Sequence, residues 1–214
     1  MRLFVSQLTR EHLRKTVSFF MATETEGGHV PFHSSGTGTL NTLVLALLTF
    51  IAEIKKDVIF AMEEPEIALP PHTQRRIADY LLKRTSQCFV TSQSPYVIER
   101  FEPEQIMRLK MESDGVLIGA AIKFPPGVKK KTYHSYLRRA FAEAMLGRGV
   151  IVGEGPTERT VLTAAARKME ESDATIFPLD VAGVSIMDAG GDGNLGEMGA
   201  FFKALDLPAF CLLR

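Results

Sequence analysis

The sequence predicts an α/β protein whose strands run parallel. Two short apolar runs, 58–62 and 88–91, lie either side of a helix-like stretch and each ends in a polar loop, the pattern of a βαβ unit. A second unit of the same design opens at Gly149, where five strand-like residues pass through a tight loop into another helix. The 214 residues suffice for one large or two small domains, and 45% hydrophobic residues argue against disorder. With 25 Lys and Arg balancing 25 Asp and Glu, a strongly basic arm and an acidic tail are both excluded, although a local basic patch is not. No stretch reaches the ~20 apolar residues that a membrane helix requires, and the N-terminus shows no signal-peptide plan. Cys88 and Cys211 each sit in an apolar run, which predicts buried, unpaired thiols in a reducing cytoplasm.

In chain order, residues 1–38 are polar and irregular, closing on Ser34-Ser35-Gly36-Thr37-Gly38. Apolar residues then recur at i, i+3 and i+4 over 39–56, which predicts a largely buried helix. The strand 58–62 ends in Glu63-Glu64-Pro65-Glu66, and a helix over 71–85 starts with proline in its first turn. The strand 88–91 ends in Ser92-Gln93-Ser94-Pro95. Two strand-like runs, 105–110 and 116–124, flank Glu112-Ser113-Asp114-Gly115 and predict a hairpin. Pro125-Pro126-Gly127 and Lys129-Lys130-Lys131 mark a linker before a helix over 132–146. Strand 149–153, helix 158–170, strand 184–188, helix 195–205 and a strand starting near 208 complete the chain.

Three groups of residues carry chemistry. Glu63 and Glu64 stand at the carboxyl end of a parallel strand, where open α/β sheets place ligands. Paired acids there suit Mg²⁺, with one helping to hold the metal while the other orients or deprotonates a water; they equally fit a strand entering a solvated acidic turn. The loop 34–38 opens a helix, so its amides could meet an anion or serve as a plain N-cap. Glu154 ends the strand 149–153 and Glu158 follows in the first turn of a helix, a spacing that aims two carboxylates at one point. Such a pair can share a divalent metal for phosphodiester cleavage. Lys129, Lys130, Lys131, Arg138, Arg139 and Arg148 form a basic cluster that fits either phosphate contacts or a solvated face.

Over about residues 30–110 these stretches resemble the ATPase core of ABC-type ATPases, in the branch shared by RecF, SMC and the OLD-family nucleases. Residues 58–66 resemble that family's Walker B segment in its Glu-Glu-Pro-Glu form. The resemblance implies that Glu63 assists Mg²⁺ binding and that Glu64 is the catalytic acid. Ser35, Gly36 and Gly38 resemble the signature loop that contacts a nucleotide held by the opposite subunit. Gln93 occupies the switch position, where the family usually has His; glutamine hydrogen-bonds a phosphate or water but carries no proton, which implies slow hydrolysis. The sequence contains no Gly-x-x-x-x-Gly-Lys-Ser/Thr, so ATP phosphates would need a segment outside it.

Glu154-Gly155-Pro156-Thr157-Glu158 closely resembles the opening motif of Toprim domains in its OLD form. It implies that Glu154 and Glu158 are metal-binding catalytic acids, using Mg²⁺ or Mn²⁺. The stretch 184–191 resembles the second Toprim strand, and the Asp-x-Asp motif is expected at the end of the third, near 208–213. Asp188 does not substitute for it, lacking a second acid two residues on. The expected organisation is therefore an ABC/RecF-like ATPase C-terminal part over 1–124, a linker and basic helix over 125–147, and a partial Toprim domain over 148–214. As a whole the sequence reads as an internal piece of an OLD-type ATP-dependent DNA endonuclease, inactive alone. The family resemblance further implies DNA as substrate, a homodimer, sometimes a helicase partner, and roles in phage defence or DNA repair. A non-catalytic ATPase scaffold with an inert Toprim domain is the rival.

Overall fold

A computed structural model of the chain describes residues 20–22, 29–31, 34–55, 58–124, 127–173 and 175–212. Strands β1 (Phe20–Ala22) and β2 (His29–Pro31) form a short antiparallel pair. Helix α1 (Thr37–Ile54) follows, then β3 (Ile59–Glu63), α2 (Pro71–Arg84) and β4 (Gln87–Thr91). β3 and β4 are parallel, registered from Ile59 against Gln87 to Glu63 against Thr91, so α2 is the crossover of the expected βαβ unit. Pro71 occupies the first turn of α2, and Lys83 and Arg84 close it where the helix dipole favours cations. A one-turn helix α3 (Pro95–Ile98) leads to the hairpin β5 (Met107–Met111) and β6 (Leu117–Ala121). Its turn uses Gly115 at φ +83° and the Asp114 carboxylate, which accepts from the Val116 amide at 3.0 Å.

A π-helical turn over Tyr133–Leu137 then feeds α4 (Arg138–Leu146). Tyr133, Leu137, Phe141 and Met145 recur at four-residue spacing and all are buried. The rings of Tyr133 and Phe141 meet edge to face at 5.4 Å, and Phe141 lies 5.0 Å from Phe201. The second unit is β7 (Gly149–Gly153), α5 (Pro156–Ser172), a short α6 (Leu179–Ala182), β8 (Val184–Asp188), α7 (Asp192–Ala204) and β9 (Ala209–Cys211). All three strands are parallel, in the order β8-β7-β9. The main core belongs to this unit and α4, with Val150, Val152, Met187, Met198 and Phe202 near zero exposure; Ile122 joins it, and Ile98 and Ile106 pack against it from the N-terminal side. Burying a Phe or Leu of this kind contributes about 2–3 kcal/mol.

The secondary structure expected from the sequence is present, but burial differs in the N-terminal half. Of the α1 stripe only Leu45 is buried, whereas Leu47, Phe50 and Ile54 are 54–66% exposed. Ile59 and Phe89 are likewise bare at 63% and 60%, because β3 and β4 pair only with each other among the described residues. Apolarity predicted burial; the surface available to cover these faces did not match it. Cys88 is half-buried, and Cys211, on a strand paired on one side, is exposed rather than buried. No helix of the described residues is long and apolar enough to cross a membrane.

Candidate functional site

The loops after β3 and β4 are knitted together. Glu63 ends β3 directly opposite Thr91, and the Glu64 amide donates to the Thr91 carbonyl at 2.9 Å. Glu64 then adopts φ +43°, a left-handed conformation unusual for a side-chain-bearing residue and characteristic of constrained sites. Its carboxylate accepts from the Gln93 side-chain amide at 2.5 Å. Glu66 accepts from Ser92 Oγ at 2.7 Å and the Gln93 amide at 2.9 Å through one oxygen, while its other oxygen is buried without a partner. Ser94 donates to Gln74 at 2.5 Å and caps α3 by accepting from the Tyr96 amide at 3.2 Å. Glu63, Glu64 and Gln93 therefore share one loop cluster at the carboxyl ends of β3 and β4. Glu66 was not singled out from the sequence; its signal was a third acid in the same run.

The start of α1 packs against this cluster from below. Asn41 donates to the Ile67 carbonyl at 2.8 Å, and a Cβ on Gly38 would lie 2.6 Å from the Ala68 carbonyl oxygen. Gly38 is thus required by close backbone approach. Ser35 is half-buried and Gly36, the N-cap of α1, is exposed with open space where a Cβ would be.

At the second unit, Glu154 follows β7 and is half-buried, and the neighbouring loops are tied to it. The Gly191 amide donates to the Glu154 carbonyl at 3.0 Å, and the Ala189 amide to the Gly153 carbonyl at 2.9 Å. Glu158 lies over the strand end, since a Cβ on Gly153 would be 2.8 Å from its own. One Glu158 oxygen accepts from the Gly155 amide at 3.0 Å, closing the helix start. Beside them stands Asp188, which the sequence reading set aside. It pairs in register with Gly153, is 2% exposed, lies 3.9 Å from Arg159 through one oxygen, and has no partner for the other. The sequence signal was an acid ending an apolar strand. Among the described residues no three His, Cys, Asp or Glu side chains converge tightly enough to hold a metal ion. β9, where the third strand was expected, pairs with β7 beside Glu154 and Glu158.

Comparison with known proteins follows the same division. Residues 4–98 match the AAA ATPase domain family, and residues 145–213 match the Overcoming lysogenization defect protein-like TOPRIM domain family. The chain thus joins a stretch similar to AAA ATPase domains to a stretch similar to OLD-like Toprim domains. It is similar to the Old nuclease of Escherichia phage P2, at 22% identity over 208 residues, covering 90% of this chain and 35% of that protein. The chain therefore spans about a third of that relative's length. A solved structure from work titled as the structural biochemistry of ATP-driven dimerization and DNA-stimulated activation of SMC ATPases aligns at 17% identity and a TM-score of 0.39, over 46% of this chain and 60% of that one.

The basic cluster divides in two. Arg138 pairs with Glu102, and Arg139 pairs with Glu143 at 2.7 Å while stacking 3.6 Å over the Tyr96 ring. These two arginines hold the halves together. Lys129, Lys130, Lys131 and Arg148 remain on exposed surface.

Proposed function

We propose that this chain forms part of an ATP-binding, divalent-metal-dependent DNA endonuclease that works as a dimer, with Mg²⁺ or Mn²⁺ at the Toprim acids. The observation that carries the reading is the placement of Glu154 and Glu158 at the carboxyl end of β7, in a chain that also carries the Glu64–Gln93 pair. Glu154 makes no hydrogen bond through its carboxylate among the described residues, which suits a ligand-binding role. A bound metal would polarise the phosphodiester and activate water. The chain's own part is to hold the two carboxylates at the strand end, through the Gly155 amide on Glu158 and the loop bonds around Glu154. In the ATPase half, Glu63 would assist Mg²⁺, Glu64 would orient water, and Ser35, Gly36 and Gly38 would face a nucleotide on a second subunit. Phage defence or DNA repair in the cytoplasm, sometimes with a helicase, is the biological setting that the family implies. Plasmid nicking by the full-length protein with Mn²⁺ tests this: Glu154→Ala is expected to lose activity, and nicking equal to wild type would reject Glu154 as a metal ligand.

One observation favours a weaker ATPase. The Gln93 amide occupies a Glu64 lone pair and cannot relay a proton. On this reading ATP binding, rather than turnover, is the working signal. Gln93→His is then expected to raise ATP hydrolysis about tenfold or more in the full-length protein; no increase would indicate that residue 93 does not limit the step.

A further inference from the structure

We propose that the outward face of α5 is a binding track for the phosphodiester backbone of DNA, leading from Asp188 and Arg159 along Thr163 to Arg167 and Lys168. The identity of the ligand rests on the nuclease reading above; the track itself rests on the following geometry. α5 has 17 residues and not one is buried, although a helix packed on a sheet usually hides a stripe. Its free face forms one side of a groove of about 600 Å³ whose lining includes the cations Arg159, Arg167 and Lys168 and the acids Glu171 and Asp188. Residues 159, 163 and 167 fall at i, i+4 and i+8, so they share one face. The eight steps from Arg159 to Arg167 advance about 12 Å, at roughly 1.5 Å each. One DNA strand rises about 3.4 Å per phosphate along the duplex axis while winding around it, so a separation of about 12 Å matches phosphates about two steps apart on one strand.

The cations of the groove are weakly committed inside the molecule. Arg167 makes no ion pair among the described residues. Among the described residues Lys168 pairs only with Glu171, at 3.8 Å with both side chains at least 70% exposed, a pair worth little in water. Arg159 meets Asp188 at 3.9 Å and stays 47% exposed, leaving most of its five-donor fork for a phosphate. The threonines are not donors here, since Thr160 and Thr163 give their hydroxyl protons to the Pro156 and Arg159 carbonyls, both at 2.8 Å. Recognition therefore falls to the three cations and is charge-driven rather than base-specific. Asp188 fixes the inner end: it is buried, it anchors Arg159, and it sits in register with Gly153, the residue before Glu154. A strand on the track thus ends beside the proposed cutting site.

The test is binding of a short labelled duplex to the full-length protein in EDTA, across a salt series, so that cleavage plays no part. The triple change Arg159→Ala, Arg167→Ala, Lys168→Ala is expected to make the slope of log K against log salt shallower by about 2–3, with at least about tenfold weaker binding. Glu171→Lys, on an exposed position that disturbs no core, is expected to steepen the slope by about 1 and tighten binding. Unchanged slopes overturn the track, as does a triple variant that loses binding to polyglutamate but keeps its DNA slope. If the triple variant misfolds, Glu171→Lys alone decides. Slopes that respond in a protein unable to nick with Mn²⁺ would sink the nuclease reading and leave the track standing; nicking that depends on Glu154 with unresponsive slopes would do the reverse.

Discussion

Asp188 poses the sharpest residue-scale question in the molecule. It is 2% exposed, one oxygen has an arginine at 3.9 Å, and the other has no partner. A buried carboxylate costs several kcal/mol unless hydrogen bonds and a close counter-charge offset it, and here neither is complete. Asp188→Asn keeps the shape and removes the charge, so it is expected to raise the stability to urea by about 1 kcal/mol. A loss of similar size would show that the pair with Arg159 outweighs desolvation. Gly38 gives the opposite sign. A Cβ there would meet the Ala68 carbonyl at 2.6 Å, a backbone atom that cannot swing away. Gly38→Ala is therefore expected to destabilise by about 1–3 kcal/mol in the same measurement, and a neutral result would mean that the 66–69 turn yields. Neither effect was legible in the sequence. Gly38 and Ala68 are thirty residues apart, and an acid ending a strand looks alike whether it faces water or a core.

At the scale of elements, the hairpin β5–β6 shows what periodicity can and cannot say. Its two strands and turn were evident as two strand-like runs flanking Glu112-Ser113-Asp114-Gly115, but not which face would be covered. Arg108 turns inward, donating to the Met145 carbonyl at 3.3 Å and the Leu205 carbonyl at 3.0 Å, while Met107, Leu109, Met111 and Leu117 remain 54–62% exposed. The same gap explains α1, whose apolar stripe was visible and whose exposure was not. Helices α3 and α6 were missed because four residues are too few to display a 3.6-residue period. The hairpin is also tied by Lys110 to Asp206. That bond holds the Asp206 carboxyl below its ordinary value of 3.8 and the Lys110 ammonium above its ordinary 10.5. The lowered acid supports the contact fully above pH 3.8 and loses it as pH falls through the still lower folded value; the raised amine supports it below pH 10.5 and loses it above. Hairpin amide protection, corrected for intrinsic exchange, is expected to stay level between those limits and to fall first on strong acidification. Asp206→Asn should remove the acid branch; an unchanged acid branch would place the sensitivity elsewhere.

At the scale of the whole molecule, the two motif-bearing halves were legible as separate sequence units, yet residues of the first join the core of the second. Ile98, Ile106 and Ile122 from the N-terminal half pack into the cluster built by α4, β7, β8 and α7. Across the same boundary, Tyr96 of α3 lies between two arginines, with Arg75 4.9 Å and Arg139 3.6 Å from its ring centre. Arg75 is fixed by Glu99 at 2.6 Å, Arg139 by Glu143 at 2.7 Å, and Arg138 by Glu102. Tyr96 stands three residues after Gln93, so the loop that meets Glu64 is bolted to the helix leading into β7. Each cation–π contact contributes about 1–2 kcal/mol where it is partly desolvated, and the shared ring makes the two non-additive. The residues described here are thus expected to unfold in a single calorimetric transition. Tyr96→Ala removes both stacks while leaving the isoleucine contacts, and it should lower the midpoint and split the transition, the N-terminal half melting first because its own core is small. A variant that still melts in one step at the wild-type midpoint would show that the apolar contacts alone join the halves.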